Sequence, residues 1–231
     1  MGTHSQVKSI ALEDLHVGVL PPETAEALRA CVKLKVLEKE WYLAGGTALA
    51  LQVGHRQSVD LDFFTNKPDF NTTDMERLLI KAGDWETTHV ARGTLYGLFH
   101  GAKVSFIAYP FFRPPLAHIQ CGHVRILLPE DIASMKIIAI SQRGKKRDFM
   151  DLYWFTAVHG MGLSGIIRRA VAQYPEQKYS LPHFLKSLVY FADAEDDPAP
   201  PLHFKTDWET IKQYFKREVP KIARELLGIG K

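Results

Sequence analysis

The chain has 231 residues, 46% apolar and 24% charged, with 29 basic against 26 acidic side chains and a formal charge of +3. That is the balance of a folded protein with a sizeable core, and it excludes disordered, collagen-like and low-complexity chains. So small a net charge neither demands a polyanionic partner nor opposes one.

Residues 1–22 read as a polar leader closed by Pro21 and Pro22. It has no apolar run for a signal peptide, and Gln6 stands where N-myristoylation requires Ser or Thr. Over 23–39, Ala27, Leu28, Cys31, Leu34 and Leu37 recur at helical spacing. Trp41 to Ala44 reads as a strand entering Gly45 and Gly46, after which Thr47 can cap a short helix over 48–53 that Gly54 ends. Residues 58–64 alternate, with Val59, Leu61 and Phe63 on one face and Ser58, Asp60 and Asp62 on the other. Thr73-Asp74-Met75-Glu76 has the form of a capping box for a helix that Gly83 ends.

Three strands are expected over 85–109, turning near Gly93 and Gly101, then a rigid proline loop over 110–115 and a strand over 124–128. Pro129, Glu130 and Asp131 open a helix that runs to Gly144, and a second spans 147–158. The remainder is helical, with breaks at 160–165, Pro175 and 196–201, the last being the best linker candidate. Thr206-Asp207-Trp208-Glu209 repeats the capping-box form before a final helix. Cys31 and Cys121 lie far apart and outside any Cys/His cluster, so reduced, partly buried thiols are expected. No run is long enough to cross a membrane, and the cytoplasm is the expected compartment. The pattern predicts an α+β protein: a mixed β-sheet core flanked by helices, then a helical C-terminal part. Its expected parts are a leader and helix over 1–35, an α/β core over 36–128, and a helical region over 129–231 that completes the active site.

The chemistry concentrates in two blocks. Asp60 and Asp62 stand at i, i+2 on an expected strand, so their carboxylates share a face roughly 6–7 Å apart and repel unless a cation lies near them. Hard carboxylate oxygens suit Mg²⁺. Gly45-Gly46-Thr47 precedes a helix whose N-terminal N–H groups suit a polyphosphate. Each element alone is common; together, at this spacing, they are specific. In the second block Lys136 and Arg143 are seven residues apart on one helix face and could clamp phosphates, or could be ordinary solvated charges. Asp148 and Asp151 are neighbours on the next helix, where Arg147 and Asp151 could simply pair.

Gly45-Gly46-Thr47, then about a dozen residues to Ser58-Val59-Asp60-Leu61-Asp62-Phe63-Phe64, resembles the signature of the nucleotidyltransferase superfamily in its AbiEii toxin branch. Residues 51–56 are typical of that branch, and the block from Pro129 through Lys136, Arg143 and Asp148 to Trp154 follows in the same order. The resemblance spans about residues 36–158. It implies a nucleotidyltransferase-type sheet core and a Mg²⁺-dependent enzyme, with Mn²⁺ as an alternative ion. Such an enzyme transfers a nucleotide from an NTP to an RNA hydroxyl, with tRNA as the expected acceptor. It implies a toxin of a toxin–antitoxin or phage-defence system, with an antitoxin protein as partner. By motif match Asp60 and Asp62 ligate metal, Gly46 and Thr47 hold the triphosphate and Lys136 is the family's helix lysine; Gly45, Arg56, Ser58, Lys136 and Arg143 are expected beside the nucleotide. Asp60, Asp62, Lys136 and Asp148 form the catalytic set, supported by Asp151 and Arg147.

One departure stands out: where the family commonly carries a third carboxylate, this chain has Ser105. That favours a rival reading, a catalytically inactive nucleotide-binding or regulatory protein of the same fold. A sugar-nucleotide transferase using Asp-x-Asp for its metal is a third reading, opposed by the Gly-Gly-Thr element and the second block. His55 could contact a phosphate or only shape its loop. Phe111 and Phe112 beside Arg113 could stack on a base or lie in the core. From His203 onward seven basic residues face four acidic ones, so this last helix is either an RNA-binding face or a solvated amphipathic helix.

Overall fold

The alternation read in the middle of the chain becomes one mixed sheet. A computed structural model describes residues 7–175 and 180–228. The first six residues, on which the targeting expectations rest, and Lys231 of the basic tail lie outside them. The chain divides into two compact units, Met1–Pro129 and Glu130–Lys231.

The first unit holds β1 (Val7–Ile10), α1 (Pro22–Cys31), β2 (Tyr42–Ala44), α2 (Gly45–Val53), β3 (Leu61–Thr65), α3 (Thr72–Ala82), β4 (Trp85–Ala91), β5 (Thr94–Phe99), β6 (Ala102–Ala108), β7 (His118–Cys121) and β8 (Val124–Ile126). The strands form a sheet in the order β1-β7-β8-β2-β3-β6-β5-β4. Its centre alternates in sense: β2 is antiparallel to β3, β3 parallel to β6, and β6 antiparallel to β5. One face is core. Leu61 and Phe63 of β3, Val104 and Phe106 of β6, and Leu95 and Phe99 of β5 are buried there. The Phe63 and Phe106 rings stack at 5.2 Å. Trp41 meets Phe106 edge-on at 5.2 Å, and α1 and α3 lie against β6 and β4–β5. Burial of each such side chain contributes about 1.5–3 kcal/mol. The residues between them, Asp62, Ser105 and Tyr96, therefore take the opposite, open face.

Several expectations need correction. The polar leader contains β1, which pairs in parallel with β7; neither strand shows apolar alternation, because their side chains are mostly exposed or half-buried. The helix expected over 23–39 stops at Cys31, and the backbone N–H of His123 takes the Val32 carbonyl that a continuing helix would use. Val59 is 50% exposed, and β3 starts only at Leu61. Asn71, not Thr73, caps α3, accepting from the Asp74 N–H. Cys31 and Cys121 are buried free thiols, and burial pushes Cys31 up to about 12.

The second unit is helical: α4 (Pro129–Gln142, beginning at the boundary), α5 (Lys146–Tyr153) continued by a π-helical stretch over Trp154–Val158, α6 (Leu163–Gln173), α7 (Leu181–Ser187) and α8 (Trp208–Leu227). Phe149 centres its core, with Phe191, Trp208 and Phe215 at 5.1, 5.7 and 5.7 Å. The expected capping residue Thr206 gives way to Asp207, whose carboxylate accepts from the Thr210 N–H at 2.6 Å. The proposed linker over 196–201 lies inside this unit, and Asp197 accepts from the Lys146 N–H at the start of α5. No helix among the described residues is long and apolar enough to cross a membrane.

Candidate active site

The first unit gathers seven of the expected residues around the start of α2. Gly45 is left-handed, at φ +72°, and follows Ala44, which pairs with Asp62 across β2 and β3. A Cβ on Gly45 would lie 3.1 Å from Asp62 Oδ2, so a side chain here would meet both backbone strain and the carboxylate. At Gly46 the neighbour is a cation: a Cβ would lie 2.0 Å from a guanidinium nitrogen of Arg56. Arg56 is buried, and its other terminal nitrogen donates to the Gln57 carbonyl at 2.8 Å.

Thr47 neither caps the helix nor stands at its edge. The N-cap is Ala44, and the Thr47 hydroxyl donates to the Asp60 carbonyl while sharing a 2.7 Å hydrogen bond with Ser58. The segment before β3 is fastened at further points. Ser58 donates its N–H to the Val19 carbonyl, and Thr24 of α1 donates to the Val59 carbonyl at 2.9 Å. These bonds satisfy the backbone of an irregular segment and fix Asp60 although it precedes the strand. Thr24 carries no sequence signal for this role, since it reads as an ordinary first-turn helix residue.

Asp62 sits on β3 opposite Ser105 of β6, and Ser105 donates to Asp62 Oδ1. The residue in the third-carboxylate position is thus a hydrogen-bond donor to the second carboxylate. Among the described residues no group of three His, Cys, Asp or Glu side chains could hold a metal ion. Two aspartates of hard oxygen character nevertheless fit Mg²⁺, which keeps waters and takes substrate phosphate oxygens beside one or two carboxylates. His55 is buried, as is Phe112, whereas Phe111 is 45% exposed.

The second unit gathers the other block into a buried ionic cluster. Lys136 Nζ of α4 lies 2.8 Å from Asp148 Oδ1 and 2.6 Å from Asp151 Oδ2 on α5. Arg143 Nε reaches Asp148 Oδ2 at 3.3 Å. Both carboxylates and Lys136 are buried, and only the Arg143 side chain, 50% exposed, faces solvent. Lys136, expected at the triphosphate, pairs with two aspartates. Arg147 is half-buried in the first turn of α5. Four cations of α8 are also engaged. Lys212 pairs with Glu195 and Glu209 at 2.9 and 3.1 Å, Arg217 and Lys221 pair with Glu218, and Lys216 lies 5.8 Å from the Phe191 ring.

A family model spans both blocks. The sequence model of the family described as nucleotidyl transferase AbiEii toxin, type IV TA system, matches residues 26–96 and 112–226. An uncharacterized protein of Aquifex aeolicus (strain VF5) is 37% identical over 204 residues, covering 87% of this chain and 96% of its own. Among solved structures, MenT4, a nucleotidyltransferase toxin from Mycobacterium tuberculosis H37Rv, aligns over 87% of this chain and 86% of its own, at 16% identity and a TM-score of 0.49. A Helicobacter pylori structure described as a candidate nucleotidyltransferase aligns over 89% of this chain and 96% of its own, at 19% identity and a TM-score of 0.49. The chain belongs to the AbiEii nucleotidyl transferase toxin family of type IV toxin–antitoxin systems, and is a nucleotidyltransferase.

Proposed function

We propose that this toxin transfers a nucleotide from an NTP to a hydroxyl of RNA, with tRNA as the acceptor and Mg²⁺ as the ion. The carrying observation is the meeting of opposite charges at the start of α2. There the Asp62 carboxylate, the open N-terminus of a helix and the buried Arg56 guanidinium converge on two adjacent glycines. The helix end and the guanidinium attract phosphate oxygens, while the carboxylates favour a divalent cation. A metal–triphosphate complex satisfies both.

Asp60 and Asp62 would hold the ion, which supplies charge neutralisation of the phosphates and a more acidic acceptor hydroxyl. The chain's own work is to orient. Gly45 lets the phosphates approach the helix end, Gly46 makes room for the Arg56 guanidinium beside them, Ser58 lines that approach, and Thr47 keeps Asp60 in place. The acceptor oxygen bonds to the α-phosphorus and the bond to the bridging oxygen of the β-phosphate breaks. Pyrophosphate leaves with the electron pair, and the hydroxyl proton passes to solvent. In the second unit Arg143 is the exposed cation of a cluster that Lys136, Asp148 and Asp151 hold together. A protein antitoxin is the partner expected of the family.

Incubating the protein with each α-labelled NTP, Mg²⁺ and total RNA tests this: label should enter RNA with at least one NTP and disappear with EDTA. The bond from Ser105 to Asp62 favours a second reading, a nucleotide-binding protein without transferase activity. NTP binding without incorporation from any of the four would establish that reading.

A further inference from the structure

The sheet carries a row of side chains that runs past Asp62 to the edge. Asp62 of β3 is in register with Ser105 of β6, Ser105 with Tyr96 of β5, and Tyr96 with His89 of β4. Residues in register share a face of the sheet, and strands lie roughly 4.8 Å apart. Tyr96 therefore stands about 10 Å from Asp62 and His89 about 14 Å. Their rings are 5.6 Å apart, and both are exposed.

This pair depends on an irregularity. Trp85, Thr87 and the next alternate residue of β4 would share the core face in a regular strand. A register shift between Thr87 and His89 inserts Thr88 and sets His89 opposite Tyr96, on the face of Asp62. Bulges of this kind re-aim a side chain and occur beside functional sites more often than elsewhere. Lys103 of β6, two residues from Ser105 and so on the same face, is exposed, with no ion pair among the described residues.

In-line displacement decides what binds there. The nucleophile and the leaving group must lie on opposite sides of the phosphorus. The glycine-started helix lies on the β2 side of Asp62, so the leaving pyrophosphate belongs on that side. The acceptor must then arrive from the β6 side, along Ser105, Tyr96 and His89. Single-stranded RNA is held by aromatic faces that stack its bases and by cations on its phosphates. Two exposed rings with one exposed ammonium offer both.

Resting on the function proposed above, the geometry points to Tyr96 and His89 as the platform on which the single-stranded end of the acceptor RNA stacks, with Lys103 on its backbone. They position the acceptor and take no part in the bond changes.

The test compares the parent with Tyr96→Ala, His89→Ala and Tyr96→Phe, using deacylated total tRNA and a labelled NTP with Mg²⁺. Tyr96→Ala should raise the KM for tRNA roughly 5- to 150-fold, the range set by loss of one base–aromatic stack. The KM for NTP should stay within about twofold. His89→Ala should act in the same direction, and Tyr96→Phe, which keeps the ring, should recover most of the loss. Both side chains are exposed, so near-parent melting temperatures are expected and serve as the check on folding. An unchanged tRNA KM in Tyr96→Ala would overturn the inference alone, as would a rise confined to the NTP. A parent that labels no tRNA would overturn the proposed acceptor itself, and this platform with it.

Discussion

Gly46 and Lys136 show how one side chain's neighbour decides its role. Gly46 is followed by a helix and reads as a phosphate turn, but what excludes a side chain there is the Arg56 guanidinium. Thr47 also read as a cap or phosphate contact, whereas its hydroxyl ties α2 to the Asp60 carbonyl. The residue types were legible, but their partners come from elsewhere in the chain. Lys136 is the sharper case. Its ammonium and the Arg143 guanidinium together balance two fully buried carboxylates, so removing it leaves a net negative charge in a poorly solvated place. Lys136→Ala should lower unfolding free energy by about 3–5 kcal/mol, measured by urea denaturation. A change below about 1 kcal/mol, within the range of solvent-exposed pairs, would show that the cluster is not the buried neutral assembly described.

At the scale of elements, the alternation over 61–65 and the meander over 85–109 were readable because one face of each central strand is core. β1 and β7 were not, because edge-side strands with exposed side chains show no period. The position of His89 was hidden for another reason: strict alternation from Trp85 puts it in the core, and only the bulge turns it out.

Helices α4 and α6 are joined through Asp131, which is buried and accepts from Arg169 and Gln173. Burial holds its carboxyl above the ordinary 3.8, against the lowering pull of those two partners. The folded chain thus keeps this proton more tightly than the unfolded one. Its contribution to stability is fully present below about pH 4 and is lost as pH rises through the folded value. Asp131→Asn carries no such proton. The melting temperature of the variant relative to the parent should therefore move in the variant's favour as pH rises from about 4. A difference independent of pH would contradict the assignment.

Helix α8 and strand β6 offer the contrast in charge. The basic count of the last helix suggested an RNA surface, but Lys212, Arg217 and Lys221 each face glutamates. Reversing Lys212, Lys216 and Arg217 to Glu should lower the melting temperature and leave the salt dependence of tRNA binding unchanged. Lys103→Glu should flatten that dependence by about 0.7 in log–log slope, the share of one single-strand phosphate contact. Fluorescence titrations at several salt concentrations check both, and the opposite pattern would move the RNA to α8.

For the whole molecule, the sequence resolved the order of the parts better than their fastening. The mixed sheet followed by helices, and the two motif blocks, follow from local period and residue type. The fastening of Asp60 by Thr47 and Thr24, and of α5 by Asp197, joins residues far apart in sequence and leaves no local pattern. The central claim is that Asp60 and Asp62 are the metal-holding carboxylates of a transferase. Asp60→Asn and Asp62→Asn keep side-chain volume and remove charge, so each variant should fold with a near-parent melting temperature. The most direct measurement is the rate at which each transfers label from an NTP to RNA in Mg²⁺. Both should fall at least about 100-fold, the scale for loss of a group stabilising transition-state charge; full activity in either folded variant would contradict the claim.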